Sequence, residues 1–181
     1  MTVDDVVKQC RNSGLNGWEL VEFAQKLVSG NMKYSYNNSF NMPKKAFKKG
    51  KGYCWHQSGV LNSILRKLGF KSHLVFSVKN LVPEKMVEGV LIKEHYSGHV
   101  WCRVNFDGVE KDVCPGSIKN KPGVIHFKPI SKVKEWNAWI GFWSYWGSFV
   151  VNYKRFKEFK RLKEKQDLRN NPKASSLNSE E

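Results

Sequence analysis

Gly52-Tyr53-Cys54-Trp55-His56-Gln57-Ser58-Gly59-Val60-Leu61, continued by Asn62-Ser63-Ile64-Leu65-Arg66-Lys67-Leu68-Gly69, is the stretch from which the fold is read. A segment rich in Gly and Lys, from Lys48 to Gly52, delivers a cysteine to the first turn of a predicted helix. Val60, Leu61, Ile64, Leu65 and Leu68 recur at helical spacing and make a broad apolar face that calls for burial. Gly69 is placed to end the helix. A thiol at a helix start feels unpaired N–H groups and the positive end of the dipole, and both favour thiolate. That is one way to activate a cysteine nucleophile. Taken alone, Cys54 reads first as a small buried residue.

The downstream sequence changes that balance. Gly98 to Phe106 has the alternation and the β-formers of a strand, Asp107-Gly108 is a two-residue hairpin signal, and Val109 to Gly116 returns antiparallel. A turn centred on Asp107-Gly108 sets His99 opposite Gly116 and Arg103 opposite Asp112. His99, Asp112 and Cys114 then share one face of the hairpin. A helix-start Cys, a strand His and an Asp on the neighbouring strand follow the order nucleophile, base, orienting carboxylate. The expectation is a Cys54 thiol within about 5 Å of His99.

At these residues the sequence resembles the transglutaminase-like superfamily, whose core reads Gly-x-Cys, a helix ending in Leu-Gly, a strand, His-x-Trp and an Asp-x-Pro-like element. The matching residues are Gly52-Tyr53-Cys54, Leu68-Gly69, His99-Val100-Trp101 and Asp112, and the resemblance covers about residues 18–116. Arylamine N-acetyltransferases, built on a related core, share a Gly-Tyr-Cys entry, but their Arg-Gly-Gly lead is absent here. The resemblance implies an α+β fold: a transglutaminase-like, papain-like core with N-terminal helices and a central helix bearing the cysteine, packed on an antiparallel sheet. It also implies a thiol acyl-transfer site made of Cys54, His99 and Asp112.

One departure is legible. His99 and Asp112 are closer in sequence than the family's pair commonly is, and an ungapped match sets Cys114 where the family's Asp stands. In a regular hairpin Asp112 lies four residues from the partner position of His99, too far for a hydrogen bond at about 3.4 Å per residue. A bulge or a shifted register would repair this. Asp112 is taken as the orienter because a carboxylate both accepts the imidazole N–H and stabilises imidazolium.

Acyl transfer also needs donors for an oxyanion. The backbone N–H of Cys54 supplies one; Tyr34, Tyr36, Trp18 and Gln57 are open candidates for a second. Tyr53, Trp55 and Trp101 are candidate walls of the substrate groove. The expected substrate is a peptide, a protein or a small amide or acyl compound, with no cofactor; water as acceptor makes a hydrolase, an amine makes a transferase. Two other readings stay open: an inactive binding module on the same fold, and an acyltransferase of the arylamine N-acetyltransferase kind. A metal site from Cys54, His56, His95, His99, Cys102 and Cys114 is disfavoured, since no CxxC pair or usual zinc spacing is present.

Composition sets the frame. The 181 residues suit one domain with a tail, and 40% hydrophobic with 26% charged residues fit a globular chain. The start lacks a basic region followed by an apolar run, and four cysteines without secretory context read as thiols, so the expected compartment is cytoplasmic. A net charge of +15 invites an acidic partner, although no nucleic-acid-binding signature focuses it.

Thr2 is placed to cap a first helix, and a second runs from Asn16 or Gly17 to about Val28, stopped by Gly30. Lys71–Val78, Met86–Lys93 and Val124–Ile130 read as strands, giving a domain over 1–135. Trp136, Trp139, Trp143 and Trp146 fall at helical spacing in a segment over 136–166 that is first aromatic, then basic. Its expected role is a helix packed on the core. Contact of Trp136–Lys165 with a membrane surface is the alternative, not preferred. Residues 167–181, poor in apolar side chains, read as a disordered tail.

Overall fold

The computed structural model describes residues 1–137, except 36, 37, 39, 88 and 89, together with 139, 140, 143, 146, 150, 153, 154, 157, 158 and 160–165. The tail expected over 167–181 lies outside the described residues, as does Tyr36. Up to Glu135 the elements follow in order: α1 (Val3–Asn12), α2 (Gly17–Asn31), β1 (Lys33–Tyr34), α3 (Pro43–Lys48), β2 (Lys51–Gly52), α4 (Cys54–Lys67), β3 (Lys71–Val82), β4 (Lys85–Val87), β5 (Val90–Ile92), β6 (His95–Phe106), β7 (Val109–Val113), β8 (Lys128–Pro129) and β9 (Lys134–Glu135). The expected α+β architecture is present.

Local chemistry starts the helices. Thr2 caps α1 reciprocally: its hydroxyl accepts the Asp5 N–H at 3.2 Å, and the Asp5 carboxylate accepts the Thr2 N–H at 2.7 Å. Helix α2 runs through Gly30 to Asn31, beyond the expected stop, since one glycine inside a packed helix costs only about 1 kcal/mol. Val60, Leu61, Ile64 and Leu65 of α4 are fully buried, as their spacing demanded. Burial of each such side chain is worth roughly 1.5–3 kcal/mol, so α4 is held by its packing.

The main sheet runs β7-β6-β3-β8, with β9 also on β3. The long strands β3 and β6 pair antiparallel, with an irregularity between Ser77 and Asn80. The β6–β7 hairpin turns at Asp107 (φ 52°) and Gly108 (φ 76°), both left-handed, as a two-residue primed turn requires. Its register is regular from Phe106–Val109 to Cys102–Val113, so the bulge that would have carried Asp112 towards His99 is not there. Two expected strands are shorter: Met86–Lys93 is split between β4 and β5, and Val124–Ile130 contributes only β8.

Alternation divides the sheet. Cys102, Val104 and Val113 join α1, α2, α3 and α4 in one core, while Val75, Trp101, Cys114 and Phe127 make a second core on the other face. Trp136, ahead of the helical residues and not within them, packs on the sheet, its backbone N–H donating to Leu74 O at 2.8 Å and its ring edge-on to Phe76. The rest of that tryptophan series does not follow: Trp139, Trp143 and Trp146 are 69%, 60% and 55% exposed. Core packing of the whole seam is therefore corrected.

Candidate active site

Close backbone approach fixes the entry to α4. A Cβ built on Gly52 would stand 2.6 Å from Met32 Cε and 2.7 Å from His56 Cβ, so no side chain fits there. His56 is buried one turn into α4. Its Nδ1 accepts the Tyr53 N–H at 3.3 Å and its Nε2 lies 2.7 Å from Asn41 O, which places the proton on Nε2. Burial holds its pKa down to about 4, against the opposing effect of the Asn41 bond. His56 is thus a neutral strut that shapes the loop ahead of Cys54.

Helix α4 is tied to β6 at Ser58, whose hydroxyl donates to Val100 O at 2.9 Å and whose carbonyl accepts from Cys102 Sγ at 3.3 Å. One turn later Asn62 Oδ1 accepts from Ser72 Oγ at 2.7 Å, and Ser72 is the cross-strand partner of Val104. Helix and strand therefore run side by side in the same direction. One turn back from Ser58, about 6 Å, sets half-buried Cys54 at the level of Gly98 and His99, roughly two strand residues before Val100. Before Cys102, β6 has no strand pairing on the β7 side among the described residues.

His99 is buried, and its ring lies with the second core: parallel to Trp101 and 4.1 Å between centroids from Phe127. His99 Nε2 is 3.3 Å from Cys114 Sγ, and the Gly116 N–H donates to the same sulfur at 3.4 Å. With the proton on Nε2, two N–H groups converge on that sulfur, which then acts as the acceptor that a carboxylate would be. Asn120 fixes Cys114 in turn, donating from Nδ2 to Cys114 O at 2.7 Å and to His126 Nδ1 at 2.9 Å. Gln25 on α2 donates to Asn120 O at 2.7 Å. His126 stands edge-on to His99 at 5.7 Å.

Asp112 is placed elsewhere. Both its oxygens take Arg103, Nε at 2.9 Å and Nη2 at 3.4 Å, across the regular hairpin rung that also pairs their backbones. The sequence expectation of an Asp112–His99 contact is corrected: the register leaves the two four residues apart, and an arginine sits directly opposite.

The other candidates separate into near and far. Tyr34 pairs by its backbone with Gly52, two residues before Cys54. Gln57 is buried and donates to Met32 O at 2.9 Å, with its Oε1 lacking a hydrogen-bond partner among the described residues. Trp18 is excluded as an oxyanion donor, because it packs edge-on to Phe106 with Lys111 over its ring, at the far end of β6. Trp101 is excluded as a groove wall, being fully buried. Tyr53 is also buried, and half-buried Trp55 remains. Cys102 has its thiol in the helix-side core, where burial pushes its pKa far up. Among the described residues no group of three or more His, Cys, Asp or Glu is arranged to hold a metal ion. Asn120 and His126 were missed as site residues, because Pro115 to Gly123 has no periodicity and His126 fell within the strand expected over Val124–Ile130.

A cysteine at the start of a buried helix, alongside an antiparallel sheet that holds a buried histidine, is the frame of a thiol-enzyme fold. The chain belongs to the transglutaminase-like superfamily, which it matches over residues 4–151. Among solved structures it is similar to a TGase, with 13% identity and a TM-score of 0.48 over 65% of this chain and 31% of that one. It is also similar to a provisionally assigned protease from Parabacteroides distasonis, with 11% identity and a TM-score of 0.44 over 74% of this chain and 25% of that one. A provisionally assigned cysteine protease from Cytophaga hutchinsonii gives 10% identity and a TM-score of 0.44 over 75% and 49%. The chain spans between a quarter and a half of the length of these proteins. No curated protein matches it significantly.

Proposed function

We propose that this chain is a thiol-dependent acyl-transfer enzyme, an amide or peptide hydrolase or a transglutaminase-like transferase. Cys54 is its nucleophile and His99 its general base. The observation that carries the reading is the 3.3 Å contact from His99 Nε2 to Cys114 Sγ, because it uses the ring nitrogen that an orienting group would hold. With the imidazole proton on Nε2, Nδ1 is the nitrogen that takes the proton of the Cys54 thiol. Thiolate attack on the acyl carbon forms a thioester and expels the amine, which leaves with the proton from His99. Water or an amine then attacks the thioester with His99 as base, and Cys54 is restored. The Cys54 N–H, at the first turn of α4, is the first oxyanion donor, and Tyr34, across from Gly52, is a side-chain candidate for the second.

The test is alkylation of the whole chain by iodoacetamide at neutral pH, with the modified cysteine mapped by mass spectrometry. Cys54 reacts first, and His99→Ala slows it at least about 10-fold, since the thiolate loses its partner. Equal rates at Cys54 and an ordinary thiol overturn the reading. They would favour the second one, a binding module, to which the absence of a carboxylate at Cys114 lends support.

A further inference from the structure

Every described residue from 139 to 165 is helical, opened by Asn137, whose Oδ1 accepts the Ile140 N–H at 2.8 Å. Trp139, Trp143, Trp146, Val150 and Tyr153 follow one another at steps of four and three, the spacing of one face of a helix. All five are more than half exposed. With three tryptophans of roughly 150–250 Å² each, the exposed apolar surface is on the order of several hundred Å², the size at which a patch marks an interaction site. Lys157 and Arg161 continue the same line, and Lys157 Nζ sits 5.4 Å from the Tyr153 ring centroid, joining the aromatic half to the cationic half.

We propose that this face docks flat on the surface of an anionic phospholipid bilayer, the aromatic stripe entering the headgroup boundary and the cations of 154–165 meeting lipid phosphates. Charge decides against a second copy of the chain, since each carries +15 and would bring its lysines against its partner's. A nucleic acid would satisfy the lysines, but it offers Val150 nothing. A bilayer surface offers both an apolar layer for the stripe and phosphates for the cations. Among the described residues no helix is long and apolar enough to cross a membrane, so the segment lies on the bilayer.

The experiment uses the full chain with phosphatidylcholine vesicles, with and without phosphatidylserine. Co-sedimentation is paired with quenching of tryptophan emission by brominated lipid. Roughly 10–100-fold stronger binding to the phosphatidylserine vesicles is expected, at about 1 kcal/mol per cation near the surface. Replacing Trp139→Ala with Trp143→Ala weakens binding at least about 10-fold, while Lys157→Glu with Arg161→Glu removes the preference for anionic lipid. No sedimentation at low salt overturns the proposal, as does binding that survives the tryptophan substitutions. Tight binding to an oligonucleotide without vesicle binding, or growth of mass with concentration, overturns it too. If the variants fail to fold by circular dichroism, absence of brominated-lipid quenching in the natural chain is still decisive.

Discussion

At the scale of single residues, the site turns on which group holds the histidine. Cys114 contacts His99, whereas Asp112 is committed to Arg103 on the neighbouring rung. Asp112→Asn should therefore leave the alkylation rate of Cys54 within about twofold and cost about 1 kcal/mol of stability or less, as a partly exposed ion pair would. Cys114→Ala should slow alkylation about 10-fold or more, and Cys114→Asp should restore most of the rate, because a carboxylate accepts the same N–H more strongly. The opposite ranking would return the orienting role to Asp112. Gly52 is equally specific: Gly52→Ala forces a methyl group against Met32 and His56. A loss of roughly 1–3 kcal/mol is expected in urea melts, as for other overpacked positions.

At the scale of elements, α4 was legible because five apolar residues repeat at helical spacing, and the β6–β7 hairpin because Asp107-Gly108 suits two left-handed positions. The same turn fixed the register, and that register already kept Asp112 from His99; preference for a carboxylate overrode it. Trp101 and Trp18 carried no mark of their places, since burial and distance along a strand depend on which sheet face and which end a helix covers. The loop that brings His126 to His99 was illegible because its hold is one side chain, Asn120, rather than a pattern. The start of α4 has a measurable signature in His56. Its pKa falls from 6.5 in the unfolded chain to about 4 in the folded one. The unfolded state therefore binds the proton first, and stability is lost as pH falls from about 6.5 towards 4, by roughly 3 kcal/mol from this group. The difference in stability between the natural chain and His56→Asn should narrow over that window. A constant difference would show that His56 is not held neutral.

At the scale of the whole molecule, the question is whether the segment after the sheet belongs to the fold. Both cores draw their residues from Val3 to Val133, and Trp136 completes the packing against Phe76. The stripe from Trp139 to Tyr153 adds mainly exposed surface. A chain ending after Asn137 should therefore fold, with a melting temperature within a few degrees of the full chain's and the same alkylation rate at Cys54. It should also lose vesicle binding, because the aromatic stripe and its cations go together. Solubility offers an independent reading: removing three exposed tryptophans should reduce self-association at high salt, where the repulsion of a +15 chain is screened. If the shortened chain unfolds or its Cys54 loses reactivity, the segment after Asn137 supports the core. The boundary between the sheet domain and the segment after it would then have to move beyond residue 137.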